Sequence, residues 1–178
     1  MNEKLPFRQE WGWEIIAVDK NGKELWRKKI AGSTQTASFG LFDIAVKHDK
    51  VIAVTDYLFR SSPAIDETNK LLYIGTKNNE DSQLLAINID TGKLAWSYNP
   101  GGDVYSSPAF HNGLVYSRAE KGYLHILKPD GILVRKILLN EEVTWPSPVI
   151  DKQGVLYIAG MGDVKSKGFA YAIKAIKP

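Results

Sequence analysis

Apolar and polar residues alternate in short runs along the chain, and Gly, Pro, Asn or Asp ends most of these runs. Alternation with a period of two is typical of β-strands, in which successive side chains point to opposite faces of a sheet. No stretch keeps apolar residues at positions i, i+3, i+4 and i+7 over three turns, as an amphipathic helix requires. The pattern therefore predicts an all-β fold.

The strands recur as a repeat. Three segments open with Ser and Pro before two apolar residues, and their prolines, Pro63, Pro108 and Pro148, lie roughly 40 to 45 residues apart. A second strand follows in each segment and carries a central tyrosine: Tyr73, Tyr116, Tyr157. A third strand, a polar turn and a fourth strand complete the unit. Four short antiparallel strands per period predict one blade of a β-propeller.

The chain divides into half-units and repeats. Residues 13–30 match the third and fourth strands of a blade, and residues 39–57 match the first and second. Repeats follow at about 61–104, 105–143 and 144–178, the last without a fourth strand. Residues 1–178 are therefore predicted to form one propeller domain or fragment with about four blades' worth of strands, the lower limit for a closed ring.

Three ways of completing the ring stay open. The N-terminal third and fourth strands would complete the last blade, or two copies of the chain would pair into one ring of about eight blades. Alternatively, the chain is a fragment of a longer propeller. All three follow from the same physical problem, because terminal blades expose sheet edges and apolar faces.

Composition narrows the function classes. A formal net charge of +3, with basic residues scattered along the sequence, predicts no nucleic-acid partner, because such binding needs clustered Lys and Arg. The absence of Cys excludes disulfides, thiol chemistry and Cys-ligated zinc. The sequence carries no signal peptide and no transmembrane run. A fragment of an exported protein would be extracytoplasmic, and otherwise the expectation is cytoplasmic.

The turn before the fourth strand resembles a known repeat. Residues 86–96 are similar to the pattern Ala-x-Asp-x-x-Thr-Gly-x-x-x-Trp of the PQQ-like (quinoprotein-type) family, with Asn88 in the Asp position. Residues 17–26 resemble a form one residue shorter. The resemblance implies a propeller in which Trp26 and Trp96 fill the gaps between the outer strands of adjacent blades.

The resemblance implies two kinds of function. Some family members are dehydrogenases that hold pyrroloquinoline quinone with Ca²⁺ on the propeller axis, whereas many others bind no cofactor and act as scaffolds. The alcohol-oxidising members generally use a vicinal disulfide, an acidic base and a calcium set on about eight blades. This chain has no Cys and is about half that size. We expect no cofactor, no metal and no enzyme activity.

Three other features resemble parts of catalytic or metal sites, and each has a simpler structural explanation. The triplet Asp90-Thr91-Gly92 also occurs in aspartic proteases, but a strand-to-strand turn explains all three residues. The chain has three histidines, His48, His111 and His125, and their spacing matches no zinc site. Residues 78–81 offer oxygen ligands, but without the alternating spacing of a calcium loop, so a solvated turn is preferred.

The best candidate binding site lies at the mouth of the propeller axis. The first strand of a blade begins near the axis, so the residues three positions before the repeat prolines are expected there: Arg60, Tyr105, Trp145. One cation and two aromatic rings suit a planar or anionic ligand. The alternative is that these side chains merely seal the axis.

The sequence thus favours a non-catalytic binding scaffold. Its expected partner is a protein or a small ligand, bound on the face where the loops between strands cluster. The alternative is a fragment of a larger quinoprotein-like dehydrogenase or sensor protein.

Overall fold

A computed structural model describes residues 13–30, 41–47, 50–55, 61–76, 82–139, 146–160 and 169–174. In these ranges the strands form four antiparallel sheets, three with four strands and one with three. One edge strand of each sheet lies beside the corresponding edge strand of the next sheet. The prediction of an all-β fold made of four-stranded antiparallel blades is confirmed.

The strands fall into blades in chain order. The first blade contains β1 (Trp13–Asp19), β2 (Glu24–Ile30), β3 (Leu41–Lys47) and β4 (Lys50–Thr55). The second contains β5 (Ala64–Asp66), β6 (Leu71–Gly75), β7 (Leu84–Asn88) and β8 (Leu94–Tyr98). The third contains β9 (Ala109–His111), β10 (Leu114–Arg118), β11 (Tyr123–Leu127) and β12 (Leu133–Leu138). The fourth contains β13 (Val149–Ile150), β14 (Val155–Gly160) and β15 (Phe169–Lys174).

The first blade joins the two half-units. Its strand order is β2-β1-β4-β3, with β1 antiparallel to β4 and Ile16 opposite Ala53. The alternative in which the N-terminal strands complete the last blade is therefore wrong. The physical reason is that each two-stranded half-unit has unpaired edges, and pairing the edges of β1 and β4, which are close in the chain, satisfies one edge of each at a smaller cost in loop closure.

The second and third blades are covered on both faces. Every residue of β6 and of β10 is buried, which explains their continuous apolar sequence. One face of the second blade packs on the first blade, with Leu72 and Ile74 against Ile15. The opposite face, which carries Tyr73, packs against Val115 and other residues of the third blade. The core is therefore a series of layers between blades.

Two tryptophans make equivalent hydrogen bonds to the following blade. The Nε1–H of Trp26 donates to the carbonyl of Ile89 in the second blade at 2.8 Å. The Nε1–H of Trp96 donates to the carbonyl of Pro129 in the third blade at 2.6 Å. Both acceptors lie in the turn between the third and fourth strands of their blade. In the third blade, Arg135 occupies the position that corresponds to Trp96 in the second blade. Trp26 and Trp96 therefore have equivalent environments, as the repeat predicts.

Each indole also lies on a glycine of that turn. A Cβ atom on Gly92 would come within 2.7 Å of the Trp26 ring, and one on Gly131 within 2.9 Å of the Trp96 ring. Both distances are shorter than ordinary van der Waals contact, so a side chain at either position would displace the indole. The glycines of the repeat are thus needed so that the preceding blade can approach closely.

Candidate functional site

The starts of the inner strands are joined by serine side chains. The backbone N–H of Ser62 donates to Ser107 Oγ in the next blade at 2.7 Å, and the N–H of Ser107 donates to Ser147 Oγ at 2.8 Å. The preceding serine bonds within its own blade, since Ser106 Oγ donates to the carbonyl of Arg118 at 2.7 Å. The Ser-Ser-Pro starts therefore build a hydrogen-bonded rim across three blades, which we call the serine rim.

Tyr105 stands immediately before this rim. Its side chain is half-buried, whereas Val104 and Ser106 on either side are buried. The other two residues predicted for the axial mouth, Arg60 and Trp145, lie outside the described residues. The grouping of Arg60, Tyr105 and Trp145 at one site therefore stays a prediction.

The connection that carries Tyr105 is fixed to the second blade. The N–H of Val104 donates to the carbonyl of Thr76 at 3.2 Å. A Cβ atom on Gly75 would lie 2.7 Å from the Val104 carbonyl oxygen, so only glycine fits beneath the connection. Asp103 is buried and accepts a hydrogen bond from Ser82. These contacts hold the backbone beside Tyr105 in one position.

Sequence reasoning missed a buried cation at the same end of the strands. Arg118 is only 1% exposed, and its Nη1 donates to the carbonyl of Ala159 in the fourth blade at 2.9 Å. Burial lowers the pKa of its guanidinium, and Tyr171 partly opposes that shift. The available signal was the repeat register, because Arg118 stands two residues after Tyr116 as Gly75 stands two residues after Tyr73.

His125 is a packed residue between the second and third blades. Its Nδ1 shares a hydrogen bond of 2.8 Å with the hydroxyl of Tyr98, and Nε2 has no hydrogen-bond partner among the described residues. Burial, with a smaller contribution from Lys136, lowers its pKa from 6.5 to about 4. The ring is therefore neutral near pH 7. His111 is half-buried in the third blade, and His48 lies outside the described residues.

The described residues do not assemble a catalytic or metal centre. Asp90 is exposed in a turn where Asn88 Oδ1 accepts hydrogen bonds from the N–H groups of Asp90 and Thr91. Within the described ranges no three His, Cys, Asp or Glu residues are grouped to hold a metal ion. Residues 78–81 lie outside those ranges. The described residues therefore bring together no set of carboxylate and histidine ligands for a calcium ion.

A shallow depression lies at the opposite, turn-bearing side of the second and third blades. Its volume is about 400 Å³, and it is lined by Asn69, Leu71, Lys128, Pro129 and Asp130. It opens widely to solvent and has two apolar side chains, Leu71 and Pro129, so it has the character of a surface groove. No helix in the described part of the chain is long and apolar enough to cross a membrane.

The family follows from a direct sequence match. A family model described as outer membrane protein assembly factor BamB matches residues 12–134, more than half of the chain. The chain belongs to this family of PQQ-like repeat proteins. The resemblance of residues 86–96 and 17–26 to the quinoprotein-type repeat is confirmed. No curated protein matches the sequence.

Two solved structures share the fold. The crystal structure of BamB from Moraxella catarrhalis is similar with a TM-score of 0.56 and 14% identity, over 92% of this chain and 43% of BamB. A europium-containing methanol dehydrogenase is similar with a TM-score of 0.50 and 15% identity, over 61% of this chain and 22% of that chain. The chain spans less than half the length of either protein. At these identities the likeness shows the propeller fold alone.

Proposed function

We propose that this chain is a non-catalytic scaffold that binds a protein partner on its loop face, at the axial end of the inner strands. The proposal is supported by the hydrogen bonds that the buried polar groups make in the described blades. Arg118 donates to a carbonyl of the next blade, His125 bonds to Tyr98, and Asp66 accepts from the hydroxyl of Tyr73. The first two bonds join adjacent blades and the third lies within the second blade, and none of these groups forms a nucleophile–base pair.

The family description supports the same role. An assembly factor acts by binding other proteins, and a rigid propeller with variable loops suits that task. On this proposal the partner contacts Arg60, Tyr105 and Trp145 at the axial mouth. A tyrosine beside a fixed backbone makes a good anchor, because aromatic side chains bury a large area at a small entropy cost.

A photocrosslinking experiment tests the binding face. p-Benzoylphenylalanine is placed at position 105 and, in a matched variant, at Tyr123, which is also half-buried but lies on β11 in the third blade. Irradiation of cells that produce the chain should give a discrete protein adduct from position 105 and none from position 123. The proposal fails if both positions give the same adducts or neither gives any.

The second candidate is a fragment of a larger quinoprotein-like dehydrogenase or sensor. It is favoured by one observation, that the chain covers only 43% of the BamB structure. The two hypotheses predict different cofactor binding, because only a dehydrogenase would bind the quinone. We expect no retention of quinone absorbance when the chain is mixed with pyrroloquinoline quinone and Ca²⁺ and then desalted. Retention of one quinone per chain would favour the dehydrogenase hypothesis.

A further inference from the structure

Within the described ranges, the fourth blade is covered on one face only. Along β14 and β15 buried or half-buried residues alternate with exposed ones, unlike the continuous burial of β6 and β10. Five exposed residues that carry no charge share one face by strand register: Val149, Tyr157, Ala159, Ala170, Ala172. The exposed Lys174 lies at the edge of the same face. Val149 is 62% exposed and Tyr157 is 46% exposed. We call these five residues the uncovered face.

The uncovered face has the composition of a blade interface. Val149 pairs with Tyr157 as Ala64 pairs with Tyr73 and as Ala109 pairs with Tyr116. The two earlier tyrosines are 0% and 1% exposed, because the next blade packs on them. The uncovered face is therefore the same surface as two interior layers, without its neighbour. Apolar faces of this kind are normally covered.

The first blade presents a matching surface at the other end of the chain. On β1, Ile15 and Ala17 are fully buried against the second blade. The alternate residues Ile16 and Val18 point the other way and are only half-buried. Aliphatic residues cover the tyrosine-bearing faces inside the chain, as Val115 does for Tyr73. Ile16 and Val18 provide the same kind of cover.

We propose that the uncovered face binds the first blade of a second copy of this chain, so that two copies close one ring. The two surfaces are different and lie at opposite ends, which is the arrangement of a head-to-tail interface that closes when the rotation fits. The length also fits, since one copy covers 43% of the BamB chain and two copies cover nearly all of such a ring. Two sets of about four blades give about eight, within the range of known propellers.

Sedimentation velocity on the full chain tests the pairing. The expected species at high micromolar concentration has twice the monomer mass of 19.9 kDa. Tyr157→Glu and Val149→Asp place a charge in the junction, and each should raise the dissociation constant of the dimer at least tenfold. Val134→Asp is the matched control, because Val134 is an exposed valine on the outer strand β12. It should leave the dimer unchanged.

Engineered cysteines test the head-to-tail geometry in a chain that has none of its own. A mixture of Tyr157→Cys and Val18→Cys copies should form an intermolecular disulfide on mild oxidation, whereas each variant alone should not. Self-crosslinking of Tyr157→Cys would overturn the geometry. A wild-type chain that stays monomeric would also overturn the proposal and would leave further blades of a longer polypeptide as the occupant. A dimer that survives both charge substitutions would overturn it too.

Discussion

Ser107 Oγ accepts a hydrogen bond from the backbone N–H of Ser62, one blade earlier in the chain, at 2.7 Å. The same bond recurs one blade later, from the N–H of Ser107 to Ser147 Oγ. Ser107 is thus both the acceptor of one inter-blade hydrogen bond and the donor of the next. This relationship explains why the motif recurs with the blade period and not at arbitrary turns.

Removing one hydroxyl from the serine rim should destabilise the domain. Ser107→Ala leaves the half-buried N–H of Ser62 without its acceptor, which costs about 1 to 3 kcal/mol in the free energy of unfolding. Ser97→Ala on the exposed outer strand β8 is the control and should cost less than about 0.5 kcal/mol. Urea unfolding of both variants provides the measurement. Equal small effects would show that the rim contributes nothing to stability.

The energetic cost of crowding the tryptophan ring can be measured by comparing alanine substitutions at two glycines in equivalent turns. Gly131 and Gly22 lie in turns with the same backbone hydrogen bonds and with φ of 87° and 83°. Gly131 lies under Trp96, whereas a Cβ on Gly22 would meet nothing within 4 Å. Gly22→Ala should cost about 1 kcal/mol for the positive φ. Gly131→Ala should cost roughly a further 1 to 3 kcal/mol for displacing the indole.

Thermal unfolding of these two alanine variants, together with Trp96→Ala, gives the comparison. In the Trp96→Ala background, Gly131→Ala should become as mild as Gly22→Ala, because no ring is left to displace. If Gly131→Ala is no worse than Gly22→Ala in the unmodified chain, the indole does not rely on this close approach.

The sequence predicted the blades well, because their signals are local. The Tyr-centred strands, the glycine turn before Trp96 and the all-β class all appear in the structure within runs of a few residues. The sequence did not predict that the two half-units pair with each other to form the first blade. Pairing of β1 with β4 depends on which free edges meet across a long connection, and no residue pattern encodes that choice.

The candidate site was harder to predict for a related reason. Tyr105 was chosen from its distance to Pro108, which places the backbone but gives no contact for the side chain. Arg118 was missed because an arginine that ends an apolar strand looks like an exposed edge residue. Only the packing of the fourth blade against the third shows that it is buried and bonded to Ala159.

Histidine protonation should make the fold sensitive to mild acid. The pKa of His125 is about 4 in the folded protein and 6.5 in the unfolded reference, so the unfolded chain takes up the proton first as the pH falls. Its contribution to stability is complete above pH 6.5 and is lost progressively down to about pH 4. The loss is at most about 3 kcal/mol.

Urea unfolding of wild type and His125→Gln at pH 7, 6 and 5 measures this contribution. The free energy of unfolding should fall less steeply with decreasing pH in the variant than in wild type. Parallel pH dependences for wild type and His125→Gln would contradict the assignment.

A tyrosine–aspartate hydrogen bond occurs in two blades, buried in the second blade and exposed in the fourth. The Tyr73 hydroxyl donates to Asp66 at 3.0 Å inside the core, and the Tyr157 hydroxyl donates to Asp151 at 3.1 Å on the surface. Tyr73→Phe should therefore cost about 1.5 to 3 kcal/mol, because it leaves part of a buried carboxylate unsatisfied. Tyr157→Phe should cost less than about 0.5 kcal/mol when it is measured on the dissociated monomer, in which Tyr157 is 46% exposed. Chemical denaturation gives both values, and equal costs would contradict this account.

The link between Trp96 and the turn of Gly131 has a consequence for how such proteins evolve. The repeat at 61–104 contains both a tryptophan that docks forward and a glycine turn that receives the tryptophan behind it. A duplicated copy of the gene segment would bring both partners with it. Arrays of this kind can gain or lose members by recombination without inventing a new contact surface, so closely related chains are free to differ in their number of repeats.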